Sequence, residues 1–268
     1  MATPLKPPPA VSFVMPCFNE EDCLRTTARD MLNAFEETGV PLELILVDNG
    51  SRDRTAAIID ELIAEGRPVV KVAVPVNIGY GNGLLQGLKA CAAPFVGYIC
   101  ADGQVAAREA AVTYQQARAA QGPVMAKVRR RFRKDSWRRK IVSILYNFGM
   151  QCVFGWLGSI DLNASPKVFP REALAALQLN STDWFLDPEL MIKAKHLGIR
   201  ILERDVEGLA RAGGKSSVRY TTCLQFLKNI ARYRFGGEFR AWKRSVRKLA
   251  GAEVRPAAAA SSPDRPPR

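Results

Sequence analysis

At 268 residues the chain is long enough for one large α/β domain, or for a domain with a small appendage. Its 47 % apolar and 24 % charged residues are those of a packed globular protein, whereas a net charge of +13 calls for an anionic partner: nucleic acid, a phosphorylated substrate or an acidic membrane face. Six scattered cysteines and a single histidine, His196, form no paired metal spacing, which argues against zinc and for reduced, cytosolic thiols.

In chain order, residues 1–10 lack the apolar core of a signal peptide and read as a disordered lead-in. Val11 to Met15 is a short apolar run ended by Pro16, a buried-strand pattern. Between Glu21 and Thr38, the residues Leu24, Ala28, Met31, Leu32 and Phe35 recur at helical spacing. Leu42 to Val47 reads as a strand and Thr55 to Ala64 as a helix. Val69 to Val74, Pro94 to Ile99 and Val124 to Val128 read as further strands with helical stretches between them. Strands alternating with helices predict a mostly parallel sheet covered on both faces, with ligands collecting beyond the carboxyl ends of the strands.

The charge pattern changes near residue 127, where Lys127 to Lys140 holds nine basic residues and one acid, Asp135. Ile141 to Ile160 follows, twenty residues without a charge. That length could span a bilayer. Asn147, Gln151, Ser143, Ser159 and three glycines speak instead for an interfacial or partly buried helix. A span would also put the earlier strands and the later Asp187 and Arg211 segments on opposite sides of the membrane. Residues 219–250 mix aromatics with arginines and lysines, as would suit either an anionic lipid surface or a helix packed on its own domain. From Gly251 onward, alanine, proline and serine predict a disordered tail.

Six segments carry polar chemistry. Met15-Pro16-Cys17-Phe18-Asn19-Glu20-Glu21 closes the first strand, and Val47-Asp48-Asn49-Gly50-Ser51 closes the second. Asn77-Ile78-Gly79-Tyr80-Gly81-Asn82-Gly83 opens the helix after the third, and Ala101-Asp102-Gly103-Gln104 closes the fourth. Asp187-Pro188-Glu189 and Arg211-Ala212-Gly213-Gly214-Lys215-Ser216 come late. Taken singly, Asp48 to Ser51 suits an ordinary turn as well as a base or ribose contact. The glycines suit helix–sheet packing as well as a helix start facing an anion. Asp187 and Glu189 suit the first turn of a helix.

Together and in this order, the segments resemble the inverting glycosyltransferase family that includes dolichyl-phosphate mannosyltransferase and bacterial polyprenyl-phosphate glycosyltransferases. The likeness covers residues 11–218, divided into a donor half, 11–126, and an acceptor half, 127–218. It implies a GT-A fold, a Rossmann-like, mostly parallel α/β sheet with helices on both faces, to which residues 219–250 add C-terminal amphipathic helices by their own pattern. It also implies a UDP- or GDP-sugar donor held by Pro16, Asn19, Glu20, Asp48, Asn77, Gly79, Gly83, Ala101, Asp102, Arg211, Lys215 and Ser216. The acceptor phosphate would meet Arg129, Arg131 and Arg133. Asp102, Asp187 and Glu189 would take part in catalysis.

The resemblance further implies a divalent metal, Mg2+ or Mn2+, on Asp102 and Gln104. The family usually has an acid where this chain has Cys100, so the cation would be weakly held, sulfur being a poor ligand for hard ions. Asn49 stands where a second acid is common, and Ser165-Pro166 where relatives have glycine and an aromatic. The expected reaction is transfer to a polyprenyl phosphate at the cytoplasmic membrane face, by a peripherally attached protein that a separate subunit could anchor, with no nucleic acid involved. Two alternatives stay open: a hydroxyl acceptor with Asp187 as general base, and a non-catalytic nucleotide-sugar binder.

Overall fold

The computed structural model describes the backbone of residues 7–131, 137–211 and 220–253, and the side chains of 7–131, 141–211 and 225–248. Two compact units are present, Met1–Phe226 and Leu227–Arg268. The first contains a seven-stranded sheet in the order β3-β2-β1-β4-β6-β5-β7. Its strands are β1 (Val11–Cys17), β2 (Leu42–Asp48), β3 (Val69–Ala73), β4 (Phe95–Tyr98), β5 (Val124–Arg131), β6 (Lys167–Pro170) and β7 (Arg200–Glu207). Only β6 runs against the rest, wedged between β4 and β5. Because the others are parallel, the carboxyl ends of β1, β2, β4 and β5 open on one side of the molecule.

Burial explains the first four strands. β1 is central and covered on both faces, so Val11, Phe13, Val14, Met15 and Cys17 are all buried. The strand continues through Pro16, whose position is registered against Val47 of β2. Helix α1 (Leu24–Glu37) turns its stripe of Leu24, Ala28, Met31, Leu32 and Phe35 into the same core. There the Phe13 and Phe35 rings lie 5.4 Å apart and Phe95 meets Tyr114 edge-on at 5.6 Å. Each such side chain contributes about 1.5–3 kcal/mol by leaving water. The remaining helices of this half are α2 (Thr55–Ala64), α3 (Tyr80–Ala90) and α4 (Arg108–Ala119).

The second half follows different rules. β5 runs three residues past the predicted Val128, so the arginines 129–131 belong to the strand. They can do so because β7 pairs with β5 along its whole length and brings Asp205 opposite Arg129 and Glu207 opposite Arg131. After β5 come α5 (Trp137–Phe154), α6 (Ala173–Leu177) and α7 (Leu186–His196). Helix α8 (Tyr220–Phe235) crosses from the first unit into the second, and α9 (Gly237–Glu253) lies wholly in the second. Within the second unit the rings of Tyr233 and Phe239 are 5.2 Å apart, and those of Phe239 and Trp242 stack at 5.6 Å. No helix among the described residues is long and apolar enough to cross a membrane.

Candidate functional site

The loops after β1 and β2 are tied together by their own polar side chains. Asn19, at φ +53°, donates its N–H to Ser51 Oγ (3.1 Å) and accepts from Arg52 N–H at Oδ1 (2.8 Å). Glu20 N–H donates to Thr55 Oγ1 (2.9 Å), and Asp48 Oδ1 accepts from Ser51 N–H (3.0 Å). The Asp48 segment is thus a side-chain-closed turn, and that turn holds the carboxylate at the strand end opposite Cys17. Asn49 is buried and spans to the next loop, donating from Nδ2 to Asn77 Oδ1 (3.3 Å) and to the Gly79 carbonyl (3.1 Å). Its Oδ1 has no hydrogen-bond partner among the described residues.

The glycines after β3 serve close approach. Gly79 has φ +136°, and a Cβ there would collide with the Thr182 carbonyl. A Cβ on Gly83 would come within 2.9 Å of Asn49 Cγ, and one on Gly87 would strike Val14. In the first turn of α3, Asn82 N–H donates to the Thr182 carbonyl at 2.9 Å, so a backbone oxygen takes the group expected to face an anion. Tyr80 and Trp184 stack across this junction, with centroids 4.4 Å apart and planes 9° from parallel. Neither ring was singled out from the sequence, where nothing linked them.

Beyond β4 lies the most concentrated electrostatics. Asp102 accepts the Gln104 N–H at Oδ1 (3.2 Å), and its Oδ2 is 3.7 Å from Arg211 Nη1. The other guanidinium nitrogen of Arg211 is paired with Glu20 Oε1. One arginine therefore bridges the acids at the ends of β1 and β4. Burial raises the Glu20 carboxyl above its ordinary value, with Arg211 pulling the other way. Cys23 closes the cluster from beneath, its Sγ 3.3 Å from Glu20 Oε2 and 3.4 Å from the buried Ala101 carbonyl. Cys100, where an acid was expected, lies 3.7 Å from Ser165 Oγ, and burial followed by the nearby Asp102 pushes its thiol up to about 12. The Ser165-Pro166 bond beside it is cis.

The late acids are buried and paired. Asp187 is 2 % exposed; Tyr98 Oη donates to its Oδ1 at 2.5 Å, and the fully buried Lys167 is ion-paired to the same oxygen. Glu189 is fully buried, accepting from the N–H groups of Asn180 (3.2 Å) and Ser181 (2.8 Å) and pairing with Lys193 at 2.5 Å. Both acids bind elements of the fold to one another.

Strand alternation sorts the arginines. Arg129 donates to Asp205 from Nε (2.5 Å) and Nη2 (2.8 Å), and Arg131 pairs with the same acid at 3.0 Å. Arg130 points the other way, bidentate on Asp161 at 3.0 and 2.9 Å, with Asp102 among the nearby acids that favour its charged form. The period of two along β5 was the signal that would have singled it out. Arg133, Lys215 and Ser216 lie outside the described residues.

Residues 12–175 match the family described as Glycosyl transferase family 2. An undecaprenyl-phosphate 4-deoxy-4-formamido-L-arabinose transferase of Pseudomonas fluorescens is 35 % identical over 150 residues, 55 % of this chain and 43 % of that protein. The protein of the same name from Proteus mirabilis is 31 % identical over 82 % of this chain and 66 % of its own length. A dolichyl-phosphate beta-glucosyltransferase of Trichomonas vaginalis is 24 % identical over 78 % of this chain and 68 % of its own. Among solved structures, glucosyl-3-phosphoglycerate synthase from Mycobacterium tuberculosis, in complex with Mn2+, uridine-diphosphate-glucose and phosphoglyceric acid, superposes with a TM-score of 0.66. The identity is 20 %, over 85 % of this chain and 80 % of that one.

Proposed function

The chain belongs to glycosyl transferase family 2, and on that premise we propose that it moves a hexose from a UDP- or GDP-sugar to a polyprenyl phosphate at the cytoplasmic membrane face, with inversion. The observation that carries the acceptor class is the burial of Asp187 against Lys167 and Tyr98. A hydroxyl acceptor needs a base beside it, and this carboxylate is committed elsewhere. A phosphate oxygen is already anionic near neutral pH and needs none. Relatives named for undecaprenyl or dolichyl phosphate support the same acceptor.

In this reading Asp48 and the loops after β1 and β2 hold the nucleoside, and Arg211 meets the diphosphate. The acceptor oxygen forms a bond to the anomeric carbon as the bond from that carbon to the diphosphate oxygen breaks. The electron pair leaves with the nucleoside diphosphate, and no proton is moved. Arg130, on the cleft-facing side of β5, supplies positive charge for the two phosphate groups. Asp102 and Gln104 offer a cation one carboxylate and one amide, with Cys100 in place of a further acid. That is short of the oxygen set a hard ion takes, so no step is routed through a metal.

Helix α5 supports membrane contact. Its polar residues turn inward: Asn147 Oδ1 accepts from Leu162 N–H (3.0 Å) and Gln151 Nε2 donates to the Ser159 carbonyl (2.8 Å). One apolar face turns outward, with Ile144, Leu145 and Phe148 at 65, 64 and 66 % exposed, while Met150 is buried. A helix with its apolar face in water next to a basic flank is suited to lie in a lipid interface. Residues 11–218 would then form the transfer domain and 219–250 a second basic surface for the membrane.

The test is a transfer assay with purified protein, short polyprenyl phosphate and a panel of UDP- and GDP-sugars, reading nucleotide release and glycolipid together. Glycolipid from one donor, lost in Asp102→Ala, is the expected result. Nucleotide release that follows an added hydroxyl acceptor and ignores the lipid would sink the acceptor assignment.

A further inference from the structure

We infer that Arg211, in place of a divalent cation, neutralises the donor diphosphate, so that nucleotide binding by this chain does not depend on metal. The inference rests on the nucleotide-sugar reading of the cleft proposed above. Four observations carry it.

The first is the ligand set. Mg2+ and Mn2+ take several hard oxygens, and the end of β4 provides a single carboxylate, Asp102. Two residues earlier stands Cys100, whose sulfur is a soft ligand suited to other metals. Among the described residues no group of three or more histidines, cysteines, aspartates or glutamates is placed to hold a metal ion.

The second is the position of the guanidinium. Arg211 reaches Glu20 with one nitrogen and lies 3.7 Å from Asp102 Oδ2 with another, so it stands between the acids at the ends of β1 and β4. A cation shared by these carboxylates would compete for the same place. The planar fork of arginine also matches phosphate oxygens two at a time, which a lysine could not do.

The third is delivery. Leu209 N–H donates to the Gln104 carbonyl at 2.9 Å, and Gly208 N–H to the Arg131 carbonyl at 2.9 Å. The backbone just before Arg211 is therefore fastened to the loop after β4 and to the end of β5. Gln104, expected as a metal ligand through its amide, contributes its main-chain oxygen to this fastening. Glu20 and Asp102 hold the guanidinium from the other side, which makes them positioning residues for Arg211.

The fourth is the second arginine. Arg130 is locked bidentate on Asp161, with Asp102 among the nearby acids that favour its charged form. The charge that a metal would bring to the cleft is thus supplied by two arginines fixed by different elements. On donor binding, the diphosphate oxygens exchange with a carboxylate oxygen on Arg211, one anion replacing another on a cation already in place.

Calorimetric titration of UDP and of GDP into the full chain tests this, first after dialysis against EDTA and then with Mg2+ or Mn2+ restored. The expected affinities agree within about threefold across these conditions, while Arg211→Gln weakens binding by about tenfold or more in all of them. Arg211 is a loop residue, and an unchanged melting temperature verifies that the variant folds. Cys100→Asp should create what is missing, a Mn2+ site seen by electron paramagnetic resonance without nucleotide, and binding about tenfold tighter with Mn2+ than with EDTA. Native binding that collapses in EDTA, or an Arg211→Gln protein that binds as the native chain does, overturns the inference and leaves the nucleotide-sugar reading standing. Absence of binding by both nucleotides under every condition would overturn both.

Discussion

In the donor half the protein buries neutral thiols, Cys17 and Cys23 beneath the ends of β1 and β4 and Cys91 at the opposite edge, just before β4 begins. Beneath β5, β6 and α7 it buries paired charges: Lys127 with Glu203, Lys167 with Asp187, and Lys193 with Glu189. In the donor half, the carboxylates at the strand ends, Asp48 and Asp102, remain partly accessible above an uncharged floor. In the second half these carboxylates are taken up by buried lysines. The difference teaches that an acid in a family motif is not by that fact an acid at the substrate. What it does depends on whether a buried cation waits for it.

The largest test of that contrast is Asp187→Ala. It leaves the Lys167 ammonium buried without its carboxylate, and should cost about 3–5 kcal/mol in urea unfolding. The double change Lys167→Met with Asp187→Leu should recover most of that loss, because an apolar pair of similar volume needs no partner. Asp48→Ala, by comparison, removes one turn hydrogen bond and should cost about 1 kcal/mol while nucleotide affinity falls. An Asp187→Ala protein as stable as the native chain but inactive would reverse the assignment and restore Asp187 as a base.

The same contrast explains what could be read in advance. The first four strands were legible because each is an apolar run bounded by turn residues, and the polar groups at their ends follow from a parallel sheet. β7 was not, because Arg200, Glu203, Arg204, Asp205 and Glu207 carry no apolar alternation, and only pairing with β5 makes a strand of them. Residues 187 and 189 were recognisable as a motif, but their role was hidden. The partners of Asp187, Lys167 and Tyr98, are 20 and 89 residues away in sequence. The pairing of Arg129 and Arg131 with Asp205 was hidden for a related reason, since that acid comes from β7, more than seventy residues on.

A smaller effect separates the halves by pH. Burial, with help from Glu20 and Glu43 respectively, pushes the thiols of Cys23 and Cys91 up to about 12 from an ordinary 9.0. Below pH 9 these groups are protonated whether the chain is folded or not. Between 9 and 12 only the unfolded chain releases their protons, so stability falls with rising pH. Lys127 works against this: burial, with repulsion from Lys167, lowers it to about 8 from 10.5. Between those values the unfolded lysine binds a proton that the folded one has lost, so its own contribution rises with pH. Cys100, also pushed up to about 12, adds to the two thiols; together they should prevail over one lysine, and the urea midpoint under reducing conditions should drop steadily from pH 9 to 11. Cys91→Ala should flatten that slope, whereas a midpoint that climbs over the range would show the lysine dominating.

The smallest expected effect on stability comes from α5, and it divides the halves by surface. Exposed large apolar residues of the donor half, such as Val76 and Ile78, sit in a loop before α3. Those of α5 recur at helical spacing on one face while Asn147 and Gln151 bond inward. If that face exists to meet lipid, replacing it with charge should leave the fold alone and remove the contact. Phe148→Asp should therefore change unfolding free energy by no more than about 0.5 kcal/mol. Losing the burial of one such side chain in the bilayer, about 1.5–3 kcal/mol, should weaken binding to anionic phosphatidylglycerol vesicles by about tenfold or more. Val76→Asp serves as the control and should leave vesicle binding unchanged. If Phe148→Asp instead destabilises the protein by several kcal/mol, the α5 face is packed against protein in solution, and the membrane surface must be sought on the basic helices that follow.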